Sequence, residues 1–160
     1  MSVSNEDKAK AVGHIPSGLF IVCSQKDGKI DGYLASWVQQ VSFEPLMVSL
    51  AIKPGRPAYD LINSGTNFTI NVVGEHEKNY LKHFWKGYDP ETNVFAEVPH
   101  TITESGAVVL EGAKSTIECV KISGTKPGDH EVFFAEVVNS YVNNEEAKPA
   151  VHVRKSGLDY

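Results

Sequence analysis

Apolar positions along the chain fall in short runs separated by turn residues. Gly18-Leu19-Phe20-Ile21-Val22-Cys23 is a β-rich stretch followed by Lys26-Asp27-Gly28-Lys29, which reads as a strand entering a hairpin. The return segment runs from Ile30 through Trp37 to Val41. After Phe43-Glu44-Pro45, the run Leu46 to Ile52 is almost continuously apolar, which predicts a strand buried on both faces. Lys53-Pro54-Gly55 ends it. A helix of about two turns is expected next, with Pro57 near its start, Tyr59, Leu61 and Ile62 on its apolar side, and Asn63-Ser64-Gly65 at its end.

Asn67 to Val73 alternates with period two, placing Phe68, Ile70 and Val72 on one face of a further strand. From Glu75 to Trp85 the spacing of Tyr80, Leu81, Phe84 and Trp85 becomes helical, with Gly87 and Pro90 marking the exit. The remaining strand candidates are Val94–Val98, Val108–Leu110, Ser115–Ile122, Glu131–Val142 and Ala150–Arg154, divided by Gly112 and by Lys126-Pro127-Gly128-Asp129. Strands dominate, and the helix–strand alternation of a doubly wound sheet is missing. The pattern predicts a mainly β protein, a small antiparallel barrel with short peripheral helices. No repeat or composition break divides residues 1–160 into more than one domain.

Composition narrows the chemistry. The 160 residues are 41% hydrophobic and 22% charged, ordinary values for one globular domain. Fifteen Lys plus Arg against 20 Asp plus Glu leave a net charge of −5, so no basic field exists for nucleic acid. Cys23 and Cys119 are far apart with no CxxC pair, which argues against a disulfide framework or zinc knuckle and fits a reducing cytoplasm. The first ten residues lack an apolar core, and the longest apolar run is too short for a bilayer, so neither export nor a membrane is expected. The G-x-G-x-x-G, Walker A, G-x-S-x-G, H-E-x-x-H and deaminase patterns are all missing. His76 and His83 could share a helix face, but without a third ligand they read as solvated histidines, and no metal is expected. Asn67-Phe68-Thr69 matches a glycosylation acceptor only by coincidence, since Phe68 is expected to face the core.

Three segments carry more specific information: Gly32-Tyr33-Leu34-Ala35-Ser36-Trp37 leading to Ser42 and Pro45, then Phe68 to Val73, then Gly128-Asp129-His130 through Val137. Together and in this order they resemble the flavin reductase-like family, the FMN-binding split barrels. The resemblance covers roughly residues 12–155. With the ending Ala150 to Gly157, it looks most like the flavin reductase modules of flavodiiron proteins and NADH:rubredoxin oxidoreductases. The chain departs from the family where it has Glu44-Pro45 in place of Pro-Pro, and His152 in place of an aromatic.

The resemblance implies an antiparallel Greek-key split barrel and assigns roles by position. Leu34, Ala35, Ser36 and Trp37 lie along the flavin, with Ser42 as a further hydrogen-bond candidate. A flat ring needs an apolar wall and small residues that let the backbone approach. Leu34 and Trp37 suit the wall, and Gly32, Ala35 and Ser36 suit the approach. Lys53 and Arg56 are implied near the phosphate, where the start of the following helix could add free N–H groups. His130 is implied near the flavin and the nicotinamide as the catalytic candidate. Each assignment has a bland counterpart: a barrel strand with a core tryptophan, two solvated loop cations, and a turn histidine. The implied activity is hydride transfer from NADH or NADPH to bound FMN, with electrons passed to an acceptor such as a rubredoxin or flavodiiron protein. A homodimer is implied too, with Phe84 and Trp85 as candidate exposed apolar residues. The alternatives are a free-flavin reductase that releases reduced FMN, and a non-enzymatic FMN-binding electron-transfer module.

Overall fold

The computed structural model describes residues 3–85, 93 and 95–160. Helix α1 (Asn5–Gly13) precedes strands β1 (Ser17–Gly18), β2 (Phe20–Lys26), β3 (Lys29–Ala35), β4 (Val38–Ser42) and β5 (Met47–Ile52). Helix α2 (Pro57–Asn63), strand β6 (Phe68–Val72) and helix α3 (Lys78–Phe84) follow. The chain continues through β7 (His100–Ile102), β8 (Val108–Leu110), β9 (Ser115–Thr125), β10 (Glu131–Val142) and β11 (Val151–His152). Seven strands form one antiparallel sheet in the order β3-β2-β6-β9-β10-β5-β4, and β1-β11 and β7-β8 form two small pairs. The expected mainly β architecture with short helices is the one that forms.

The sheet's two edges, β3 and β4, do not pair, yet one core joins them. Tyr33 and Ala35 of β3 pack in the same cluster as Val48, Leu50 and Ile52 of β5, Phe133 and Ala135 of β10, and Ala58 and Ile62 of α2. Side chains therefore close the curl where hydrogen bonds do not, which leaves a split in the barrel. On the outer face of β2 and β6 a second cluster collects Ile21, Cys23, Tyr80, Phe84, Phe95, Val108 and Leu110. The two clusters bury β6 on both faces: Phe68 and Ile70 point into the barrel, while Thr69 and Asn71 are buried on the opposite side and hydrogen-bonded.

Several sequence expectations are corrected. The segment Ile30 to Val41 is two strands, because β3 pairs with β2 and β4 with β5, so the chain changes sheet edges at Ser36-Trp37. Strand β5 is buried on one face only, with Val48, Leu50 and Ile52 inward and Met47, Ser49 and Ala51 half-buried. Phe95 to Glu97 form a turn in place of a strand, and Val98 N–H donates to Phe95 O at 3.3 Å, so both apolar side chains reach the second core without extending the backbone. Val94, Gly87 and Pro90 lie outside the described residues. Helix α1 was not expected from its weak apolar spacing. Capping signals specify it instead: Ser4 Oγ accepts from Asp7 N–H at 3.1 Å, and Glu6 and Asp7 fill the first turn. Phe84 is 4% exposed and belongs to the core, whereas Trp85 is 58% exposed, so only the latter can serve an interface. Among the described residues, no helix is long and apolar enough to cross a membrane.

Gly32 also takes a different role from the one expected. A Cβ there would meet Phe95 Cζ at 2.7 Å and both Cys23 Sγ and Phe84 Cε1 at 3.3 Å. Its missing side chain admits the aromatic pair of the second core, not a ligand. Gly32→Ala is accordingly expected to lower stability by about 1–3 kcal/mol through overpacking, measured as a shifted denaturant midpoint.

Candidate functional site

A cleft open to solvent lies at the split. The strand switch builds one wall: Tyr33, Leu34 and Ala35 end β3, and Ser36 and Trp37 cross to β4. Ala51, Ile52 and Lys53, from the end of β5, supply the other wall, and Arg56 closes it. Ala51 N–H donates to Trp37 O at 3.0 Å, tying the walls together at the base of β4. Leu34, Ala35, Ser36, Trp37, Lys53 and Arg56 are thus brought together as the sequence implied. Ser42 is not. It lies at the far end of β4 opposite Met47, where its carbonyl accepts from Gln40 Nε2 at 3.3 Å.

His130, just before β10, stands beside the cleft against Trp37. Its ring centroid is 4.9 Å from that of Trp37, and its side chain is only 12% exposed. Nδ1 lies 2.9 Å from Asp129 Oδ1, and this hydrogen bond holds the Asp129 carboxyl below the usual range.

The cations sit in a defined field. Arg56 Cζ lies 5.3 Å from the Tyr33 ring centroid. Among the described residues, no carboxylate lies within ion-pair distance of Arg56 or Lys53. Asp31 of β3 feels the Arg56 charge. Burial raises its pKa, opposed first by hydrogen bonds from the Ala58 and Gly32 backbone and then by the Arg56 charge. At the start of α2, Pro57 has no N–H and Tyr59 N–H donates to Arg56 O at 2.9 Å. Lys53 and Arg56 supply the cationic side chains at this end of the cleft.

Behind His130 a network fixes the start of β10. The Glu131 carboxylate accepts from Tyr59 Oη at 2.6 Å and Lys121 Nζ at 3.2 Å, with Lys126 Nζ at 3.6 Å. The Tyr59 hydrogen bond, then Lys121, outweigh burial and hold Glu131 below its ordinary 4.5. A carboxyl whose pKa is lowered on folding stabilises fully above its unfolded value and loses that contribution as pH falls through the folded one. Glu131→Gln should therefore cost stability at pH 7 and progressively less below pH 4.5, read from denaturant midpoints across pH.

Among the described residues, no three His, Cys, Asp or Glu side chains cluster. Cys23 and Cys119 are both buried and free, and burial pushes the Cys119 thiol up to about 12. The sequence reading missed Tyr33, which stood within the quoted motif, and Tyr160, which no pattern marks. Both line the cleft. The Tyr33 hydroxyl is buried with no hydrogen-bond partner among the described residues.

Comparison with known proteins places this geometry. The chain is 36% identical to diflavin flavoprotein A 1 of Synechocystis sp. over 98% of its own length and 27% of the relative's. It spans little more than a quarter of the curated relatives it matches. The fold is that of the Streptomyces globisporus C-1027 NADH:FAD oxidoreductase SgcE6, with TM-score 0.82 and 21% identity over 90% of this chain and 85% of that one. It also matches the styrene monooxygenase flavin reductase SMOB of Pseudomonas putida S12, with TM-score 0.77 and 23% identity over 90% of each chain. The description "Flavin reductase like domain" fits residues 12–157, a span that holds the barrel and both walls of the cleft, and the chain belongs to that family.

Proposed function

We propose that this protein binds FMN in the cleft at the split and passes electrons from NADH or NADPH through it to an acceptor. One observation carries the reading. Apolar surface from Leu34, Ala35, Trp37 and Ile52 meets a serine hydroxyl and two cations free of carboxylates among the described residues. The donor set fits the cofactor: an apolar wall for a flat ring, the orphaned Tyr33 hydroxyl beside it, and Lys53 with Arg56 for a phosphate dianion. Arg56 suits the phosphate better than Lys53, because its planar fork can donate two parallel hydrogen bonds.

When bound, FMN supplies the redox chemistry, taking a hydride from nicotinamide C4 at its N5. The protein's part is to position and to exclude water. Trp37 and Leu34 would hold the ring, Ser36 would offer a hydroxyl to its polar edge, and His130 stands beside Trp37 with Nδ1 held by Asp129. His130 is placed to hydrogen-bond the flavin or the incoming amide. FMN is the flavin proposed because Lys53 and Arg56 both line the cleft, where a terminal phosphate would need them. The bulky Trp37 favours a flavin that stays bound and serves an acceptor of rubredoxin or flavodiiron type in the cytoplasm. A homodimer belongs to the same proposal, supported by Val41, Phe43 and Leu46, which stand exposed around the β4–β5 turn. Light scattering should give twice the mass of one chain.

The test is reconstitution with FMN, gel filtration, and anaerobic addition of NADH and, separately, NADPH. Retained flavin that bleaches with at least one of them is expected, and added free FMN should not accelerate reductant oxidation in a loaded sample. A loaded protein that neither reductant bleaches would overturn the reading. A saturable rise in activity with added FMN would replace it with free-flavin reduction.

A further inference from the structure

Tyr160 belongs to none of the segments that carry the family resemblance, yet its ring stands in the cleft. The centroid lies 5.8 Å from Trp37 and 5.9 Å from His130. The Tyr160 hydroxyl meets His130 Nε2, while Nδ1 of the same ring faces Asp129 Oδ1 at 2.9 Å. A carboxylate can only accept, so Nδ1 carries the proton, and in the neutral imidazole Nε2 accepts from the tyrosine. The Arg56 guanidinium lies close enough to oppose the rise that burial gives the Tyr160 pKa. Tyr160 thus engages Trp37 and His130, two groups it would otherwise leave open to a planar ligand.

The backbone of the segment carrying this ring is tethered, while the ring itself lies at the surface. Gly157 N–H donates to Ala9 O at 2.6 Å, and a Cβ on Gly157 would meet Val12 Cβ at 2.8 Å. This close approach pins the segment to α1. Past the anchor, Leu158 N–H donates to Ser156 Oγ and Asp159 O accepts from Arg154 Nη1, each at 3.1 Å, while the side chains of Leu158 and Tyr160 stay exposed. The ring belongs to neither core cluster, so displacing it from the cleft unpacks no buried side chain.

We infer that Tyr160 is an aromatic gate of the cleft, latched by the Asp129–His130 pair, which a planar ring ligand must displace. The identity of that ligand rests on the flavin reading; the gate itself does not. A site that is open only part of the time binds with an affinity reduced by the open fraction. Removing the ring should therefore tighten binding, the opposite of deleting a wall.

The experiment uses the full chain carrying Trp85→Phe, which leaves Trp37 as the sole tryptophan. Without any ligand, Tyr160→Ala should raise acrylamide quenching of Trp37 severalfold. In stopped-flow and equilibrium titrations with FMN, the same variant should associate faster and bind more tightly. Tyr160→Phe, which keeps the ring and loses the latch, should shift affinity in the same direction by about two- to tenfold, the worth of one hydrogen bond. Unchanged quenching in Tyr160→Ala, or weaker FMN binding, would overturn the gate. Raised quenching with no FMN binding in any variant would support the gate and overturn the flavin reading.

Discussion

Arg56→Ala is expected to weaken FMN binding by roughly ten- to a hundredfold, the worth of a charge-assisted hydrogen bond, while riboflavin binding changes little. The difference arises because only FMN carries the phosphate, and a dianion held against protein must recover its lost hydration from donors. In this cleft the charged donors are side chains, since Pro57 has no N–H and Tyr59 N–H is used by Arg56 O. Lys53 alone would retain part of the charge but not the fork, so Arg56→Lys should fall between wild type and alanine. Fluorescence titration with both ligands decides it. Equal losses for FMN and riboflavin would place the phosphate elsewhere.

The largest expected loss of stability is at Asn71, a fully buried side chain that joins four strands. Its Nδ2 donates to Ile21 O of β2 at 3.1 Å and to Thr69 Oγ1 at 3.2 Å. Its Oδ1 accepts from Leu110 N–H of β8 at 3.1 Å and from Thr116 Oγ1 of β9 at 2.7 Å. Asn71→Ala would leave two buried donors and a carbonyl without that partner, each costing about 1–3 kcal/mol, so a total loss of roughly 3–5 kcal/mol is expected. The denaturant midpoint should fall sharply with an unchanged slope. The Phe68-x-x-Asn71 pattern, one of the segments that carried the family resemblance, thus has a structural cause: it lets a strand buried on both faces keep a polar face satisfied.

Legibility followed the physics of each element. Strands β8 and β10 were readable to the residue because their apolar runs end at turn signals. The break at Ser36-Trp37 was not, since nothing in local alternation records that β3 and β4 pair with opposite ends of the sheet. Phe95 and Val98 looked like a strand because apolar residues in a turn that plugs a core have the same composition. At the cleft, the motif residues Leu34 to Trp37 and the pair Lys53 and Arg56, singled out by the family resemblance, line one cleft. Ser42 does not, because β4 carries it away from the split. Tyr160 was invisible because its place depends on the packing of Gly157 against α1, a contact between residues almost the whole chain apart.

The central claim is that the split between β3 and β4 is the flavin site, and the most direct measurement is a crystal structure of the FMN complex. The account predicts the ring against Trp37 and Leu34, the phosphate within hydrogen-bond distance of Arg56, and Tyr160 displaced from His130. A flavin bound away from this cleft, or a phosphate that touches neither Arg56 nor Lys53, would contradict it.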